Sequence, residues 1–326
     1  YAALDVFTCG SDLDPTAIVQ AVSESLEAHR CDTQSIDRGD GSVPPSGVTS
    51  RPQGAMKRSV WFTNRQDNIA LSLRHAGVLF AEQSAYQKVE VVESYGYGKI
   101  LLLDNQVAFT ERDEFVYHEM ISHVPALRHP DPRRILIIGG GDGGACREFL
   151  KHESIEDITV VEIDPTVTEA AREHFPRMAT SLDDSRVTLI HGDGRAFLES
   201  PSDAFDIVVV DSLDTAGETP FDDRFFHLIK AVISSDGLCV TQICAPTLSP
   251  DRFSSSITSQ RSTFQSVVPY LAFLPTYSTG MLSFSLASVG TRQQARDVIL
   301  NDLRYLNSDV LNAAFALPAF VQNLIE

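Results

Sequence analysis

The chain has 326 residues, 43% of them hydrophobic and 21% charged, with a formal net charge of −18. That balance describes a globular protein of one large or two to three ordinary domains and excludes a disordered chain. So acidic a chain also excludes a general nucleic-acid binder, which needs a basic surface, and it suits a cationic ligand. The five cysteines, Cys9, Cys31, Cys146, Cys239 and Cys244, form no CxxC pair, so neither a zinc site nor a disulfide framework is expected. Reduced thiols fit a cytoplasmic protein. No apolar run approaches the roughly 20 residues of a membrane-spanning helix, so no membrane partner is expected. No signal peptide precedes the first strand-like segment. The sequence opens at Tyr1 without a methionine, as a fragment or processed product would.

Residues 1–37 read as a small α/β unit. Tyr1 to Phe7 is strand-like, and Asp14 followed by Pro15 starts a helix, an N-cap with proline at the first helical position. Ile18, Val19, Val22 and Leu26 line one face of that helix, and a second strand is expected near Asp32 to Ile36. So short a unit cannot bury a core alone and needs a partner. Residues 38–57, rich in Gly, Pro and Ser, form a linker. Residues 58–110 read as a small antiparallel sheet. Its strands fall at Val78 to Phe80, Val89 to Val92, Ile100 to Leu103 and Val107 to Phe109, between turns at Tyr95 to Gly98 and Asp104-Asn105. A polar helix from Glu111 to Leu127 follows.

From residue 134 strands and helices alternate, the mark of a doubly wound parallel sheet. Strands fit at 134–138, 157–162, 186–190, 205–210 and 237–243, with helices at 144–152, 165–174, 194–199 and 221–234. A helix at 250–265 and strands near 267–274 and 280–287 extend the sheet, antiparallel. Helices at 292–304 and 308–325 close the chain, with Ala313 to Pro318 as a capping element.

Acids fall where the parallel strands end. The first strand, Arg134 to Ile138, runs into Gly139-Gly140-Gly141-Asp142-Gly143-Gly144. In an open α/β sheet this turn is the floor of the ligand cleft. Glu162 ends the second strand, Asp193 follows the third within Gly192-Asp193-Gly194, and Asp211 ends the fourth with Asp214 three residues on. A carboxylate about 20 residues beyond a glycine turn suits vicinal ribose hydroxyls, and Asp193 can accept from an exocyclic adenine amine. Asp142, Asp164 and Asp193 could equally cap the helices that follow them. Asp211 and Asp214 crowd two charges into one cleft, which is unfavourable unless a cation is expected. A pyrophosphate, as in NAD, would be repelled by Asp142, whereas a helix N-terminus without it would favour an anion. Intact S-adenosylmethionine would bring its carboxylate there. Its decarboxylated form, with only positive charge on that side, fits best, and a diamine fits the same acidic cleft.

The motifs resemble the spermidine synthase family of aminopropyltransferases from about Trp61 to Ile325. They are Tyr86-Gln87, Thr110 to Phe115 with Tyr117-His118-Glu119-Met120, Gly139 to Gly144, Glu162-Ile163-Asp164, Gly192-Asp193-Gly194, Asp211 to Asp214 and Pro275-Thr276-Tyr277. The resemblance implies a Rossmann-like, methyltransferase-type α/β domain (111–326) behind an N-terminal β-domain (58–110), a homodimer or homotetramer, and no need for a metal. It implies no cofactor for aminopropyl transfer, decarboxylated S-adenosylmethionine being a co-substrate and putrescine the acceptor. Carried over by position, Asp142 would bind the aminopropyl ammonium, Glu162 the ribose and Asp193 the adenine amine, and Gln87 would line the nucleoside pocket. Asp211 would be the general base, helped by Tyr117. Tyr117, Asp214, Gln242 and Tyr277 would hold the diamine, with His118 among the substrate-binding residues. The family's gate reads Thr215 to Pro220 here, with Thr215 in place of its usual first proline. Cys244 stands where an acid is common, and Ala108 where Gln is common. These departures surround the amine side.

Residues 1–37 resemble part of a second family, prokaryotic S-adenosylmethionine decarboxylase, through Tyr1 to Gly10. There Cys9 would be the proton donor beside a pyruvoyl group. The serine that becomes that group lies upstream in the family, so pyruvoyl is expected only in a complete decarboxylase domain, such as a cleaved N-terminal partner chain. The alternatives are a methyltransferase that uses intact S-adenosylmethionine on a diamine, and a non-catalytic polyamine-binding module.

Overall fold

Two sheets organise the protein. The computed structural model describes residues 60–66, 69–200, 204–212, 222–290 and 302–326. The elements expected within 1–57, Cys9, Asp214, the gate at 215–220 and most of the helix expected at 292–304 lie outside the described residues.

The first sheet is antiparallel in chain order: β1 (Val60–Gln66), β2 (Ile69–Gln83), β3 (Lys88–Ser94), β4 (Lys99–Leu103) and β5 (Gln106–Thr110). Asp104 and Asn105 turn β4 into β5 with φ of 48° and 60°, the left-handed backbone that short hairpins demand and Asn and Asp tolerate. β2 is far longer than the expected Val78 to Phe80. It spans 15 residues and pairs with both neighbours, shifting register between His75 and Gly77 and between Val78 and Phe80. Only Leu73 and His75 along it are buried, so the usual alternation was too weak to mark it.

Helix α1 (Glu114–Arg128) links the sheets. It starts three residues later than Glu111. Asp113 stands at its N-cap without bonding the helix, because its carboxylate is taken by Thr110 Oγ1 at 2.5 Å and by Thr276.

The second sheet has the order β11-β12-β10-β9-β6-β7-β8, from β6 (Arg134–Gly139), β7 (Asp157–Glu162), β8 (Val187–His191), β9 (Phe205–Asp211), β10 (Ile233–Ile243), β11 (Ser266–Phe273) and β12 (Met281–Ser288). β6 to β10 are mutually parallel, and β12 and β11 add antiparallel at one edge. Around it lie α2 (Gly144–Phe149), α3 (Pro165–His174), α4 (Pro176–Ala179), α5 (Gly194–Leu198), α6 (Asp223–Val232), α7 (Pro250–Thr263), α8 (Ser308–Ala313) and α9 (Ala319–Gln322). Both faces are covered, which is why β6 is apolar from Ile135 to Ile138. Ile135 and Ile137 pack with Val124 and Phe149 on one face, Leu136 and Ile138 with Phe226 and Ile229 on the other. Each such burial contributes about 1.5–3 kcal/mol.

Two helices differ from expectation. The one expected at 221–234 gives up Ile233 to β10, whose pairing with β9 shifts between Ile233 and Leu238. The one expected at 308–325 is two short helices parted at Pro318, which lacks the N–H to continue a helix and disfavours helical backbone before it. β6 lies between β7 and β9, so the chain winds one way through β7 and β8 and the other way through β9 and β10. That switch point opens a crevice at the carboxyl ends of β6 and β9.

Candidate active site

β6 and β9 are in register with Gly139 opposite Asp211. Gly139 has φ of 88°, and a Cβ on it would collide with the Asp211 carbonyl oxygen. The glycine turn and the proposed base are thus adjacent by strand pairing alone. Above them is a cavity of about 400 Å³. Gln87, Tyr117, His118, Asp142, Glu162, Asp193, Asp211, Gln242 and Tyr277 all line it, so every candidate among the described residues meets there.

The nucleoside side is built from strand ends. Glu162 Oε2 accepts the Gly141 N–H at 3.0 Å and Oε1 accepts the Asp164 N–H at 2.9 Å. Burial raises the Glu162 carboxyl to about 7 against these two bonds, with the charges of Asp142 and Asp164 adding to it. Asp193 caps α5 through the Ala196 N–H at 2.8 Å, and Asp164 caps α3 through the Thr166 N–H at 3.1 Å. Asp164 Oδ2 also accepts from Ser84 Oγ at 2.7 Å and Gln87 Nε2 at 3.2 Å. A carboxylate only accepts, so the Gln87 amide nitrogen must face it. Asp164 thereby ties the β2–β3 turn to Glu162.

Asp142 Oδ1 accepts the first N–H of α2, that of Gly144, at 2.6 Å, although the N-cap itself is Gly143, and it lies 3.5 Å from His118 Nε2. The His118 ring is buried against Gly144, where a Cβ would collide with it. This last glycine of the turn therefore makes room for a side chain of this protein.

The amine side comes from distant elements. Tyr117 Oη on α1 donates to Asp211 Oδ1 at 2.5 Å, and Gln242 Oε1 on β10 lies 3.4 Å from the same hydroxyl. Asp211 Oδ2 is buried without a hydrogen-bond partner among the described residues. Burial pushes the Asp211 carboxyl up to about 6, Asp142 adding to the rise while His118 and Tyr117 oppose it. Burial and Asp211 hold the Tyr117 phenol well above its usual range, so it stays a donor. Tyr277 sits on the β11–β12 connection, whose Thr276 is fixed by its N–H and Oγ1 to Asp113 Oδ2 at 3.2 and 2.7 Å.

Sequence reasoning missed three buried groups: Asp113, Asp164 as a tie rather than only a cap, and Glu114 with Arg147. Glu114 Oε2 lies 2.6 Å from His118 Nδ1, and Arg147 grips Glu114 with two bonds at 3.1 and 2.8 Å. The i,i+4 spacing of Glu114 and His118 on one helix was the available signal. Among the described residues, Cys146 and Cys239 are buried free thiols.

The fold and the site define a class: a methyltransferase-like, nucleoside-binding α/β protein whose cleft is lined by carboxylates. Residues 114–296 match the spermine/spermidine synthase domain, 60–111 the spermidine synthase tetramerisation domain, and 1–39 S-adenosylmethionine decarboxylase. The polyamine aminopropyltransferase of Ruegeria sp. is 37% identical over 282 residues, covering 82% of this chain and 99% of its own. That of Methanocaldococcus jannaschii is 38% identical over 285 residues, covering 83% and 96%. A crystal structure of spermidine synthase in complex with the transition-state analogue AdoDATO superposes with a TM-score of 0.80 at 32% identity, over 85% of this chain and 98% of that one. The spermidine synthase from Thermotoga maritima gives 0.78 at 32%, over 85% and 97%. The chain belongs to the spermine/spermidine synthase family.

Proposed function

We propose that this protein transfers the aminopropyl group of decarboxylated S-adenosylmethionine to putrescine, giving spermidine and methylthioadenosine. The observation that carries the reading is Asp211, a buried carboxylate with one oxygen that has no hydrogen-bond partner among the described residues, beside the Tyr117 phenol and across from Asp142 in one cleft. On this reading Glu162 and Gln87 take the ribose side of the donor, Asp193 the adenine amine and Asp142 the aminopropyl ammonium. His118 sits against Asp142 at that same end. Gln242, Tyr277 and Asp214 hold the diamine.

A protonated amine has no lone pair to attack with, so Asp211 accepts a proton from it while Tyr117 fixes the carboxylate. The amine nitrogen then attacks the carbon next to the sulfonium. The C–S bond breaks with its electrons going to sulfur, and methylthioadenosine leaves as a neutral thioether. Holding nucleophile and carbon in line supplies much of the rate. The names of the similar proteins and the analogue-bound relative support the reading.

The test is direct. Incubated with putrescine and decarboxylated S-adenosylmethionine, the protein should yield spermidine and methylthioadenosine in equal amounts. Product with intact S-adenosylmethionine alone would mean methyl transfer. No product with either donor across several diamines would mean a binding module.

The same reading assigns 58–110 to the β-domain, 111–326 to the catalytic domain, 38–57 to a linker and 1–37 to part of a decarboxylase fused upstream. The family matches at 60–111, 114–296 and 1–39 support these bounds. Assembly into a dimer or tetramer follows from the tetramerisation-domain match. Among the described residues no helix is long and apolar enough to cross a membrane, and a cytoplasmic enzyme is the reading we favour.

A further inference from the structure

The ring nitrogens of His118 both face carboxylates. Nδ1 is 2.6 Å from Glu114 Oε2 and Nε2 is 3.5 Å from Asp142 Oδ1, while the side chain is 1% exposed. Ionised carboxylates offer no hydrogen, so Nδ1 must donate to Glu114, and the Asp142 carboxylate beside Nε2 favours a second proton there, which makes the ring an imidazolium. Glu114 cannot become the proton donor in its place. Arg147 bonds both its oxygens, and together with His118 it overcomes burial and holds the Glu114 carboxyl down to about 2. Arg147 is itself fixed by Nε to Glu148 Oε1 at 2.7 Å. The chain of contacts Glu148–Arg147–Glu114–His118–Asp142 thus runs from the α1–α2 interface to the cleft.

We propose that Glu114 is a positioning residue for the base: by holding His118 as an imidazolium against Asp142, it keeps Asp211 in its proton-accepting form. Among the described residues, the ionisable groups acting on Asp211 are Tyr117 and His118 from α1 and Asp142 from the turn after β6. Those acting on His118 are Glu114, Asp142 and Asp211. Asp142 favours a proton on Asp211, and His118 is the one cation among these groups that opposes it. Burial works against a charged ring, but Asp142 and Glu114 raise His118 to about 9, so the cation persists wherever the base must work. Neutralising Glu114 removes one of its two anchors. With His118 uncharged, Asp211 holds its proton more tightly and needs a higher pH to act.

The inference rests on the aminopropyl-transfer reading, and two measurements on the full chain test it. In the first, the pH profile of kcat/KM for Glu114→Gln should show its acid limb displaced upward by about one pH unit, the effect of losing one nearby charge. One unit below the wild-type midpoint this is a further loss of about tenfold, with the rate recovered at high pH. A rate lowered equally at every pH, with the limb in place, would mean packing alone and overturn the inference. In the second, 15N-histidine NMR of the wild-type protein should find His118 with both N–H protons at pH 7.5. A neutral His118 there overturns the inference whether or not the variant folds. If the wild-type protein transfers no aminopropyl group, the functional reading fails by itself, and the NMR result still decides the charge of His118.

Discussion

The two sides of the cleft are built differently. On the side assigned to the nucleoside, Glu162, Asp164 and Asp193 sit at or just past the ends of neighbouring strands, and backbone N–H groups of the strand-end turns fix their carboxylates. On the side assigned to the amine, Tyr117, Asp211, Gln242 and Tyr277 come from α1, β9, β10 and the β11–β12 connection, and side chains hold one another. Backbone bonds supply most of the hold on the first side, with Ser84 and Gln87 adding to it at Asp164. The second depends on long-range contacts, so a single substitution there should disturb more.

The largest test of that contrast is Asp211→Asn. Losing the base should cost about 10²–10⁴ in kcat, while methylthioadenosine binding, measured by calorimetry, stays near the wild-type value. Near-full turnover would remove Asp211 from the mechanism. The next is pH. Because burial raises Asp211 to about 6, the unprotonated form predominates only above that value, and kcat/KM should fall about tenfold per pH unit below it. A limb near the ordinary carboxylate range would show that Asp211 is solvated.

Smaller effects should separate the two sides. Asp113→Ala removes three hydrogen bonds under Thr276 and Thr110, so the KM for the amine should rise about tenfold or more, with the donor KM unchanged. Ser84→Ala removes one bond to Asp164. The donor KM should rise about fivefold, the worth of roughly 1 kcal/mol, with the amine KM unchanged. If either variant moves both constants alike, the two sides are one unit and the comparison fails.

Much of the nucleoside side was legible because each part is local. An apolar run, a glycine turn and an acid near the next strand end mark themselves in sequence. The boundary errors had two causes: β2 buries only Leu73 and His75, and Asp113 gave up its helix cap to a residue 163 positions away. The pairing of Glu114 with Arg147 was not legible, because an ion pair between two helices has no spacing rule linking its halves.

The sequence by itself determined the alternation of strands and helices, the acid at each strand end and the misfit of Asp142 with a phosphate ligand, since all depend on near neighbours. Only the tertiary structure decided that Gly139 lies beside Asp211, that Tyr117 reaches Asp211 across 94 positions, and that His118 is buried between the carboxylates of Glu114 and Asp142. Those facts depend on which strands pair and which helices pack together. Charges brought together by packing, out of water, set the protonation of the base, and no stretch of chain contains that information alone.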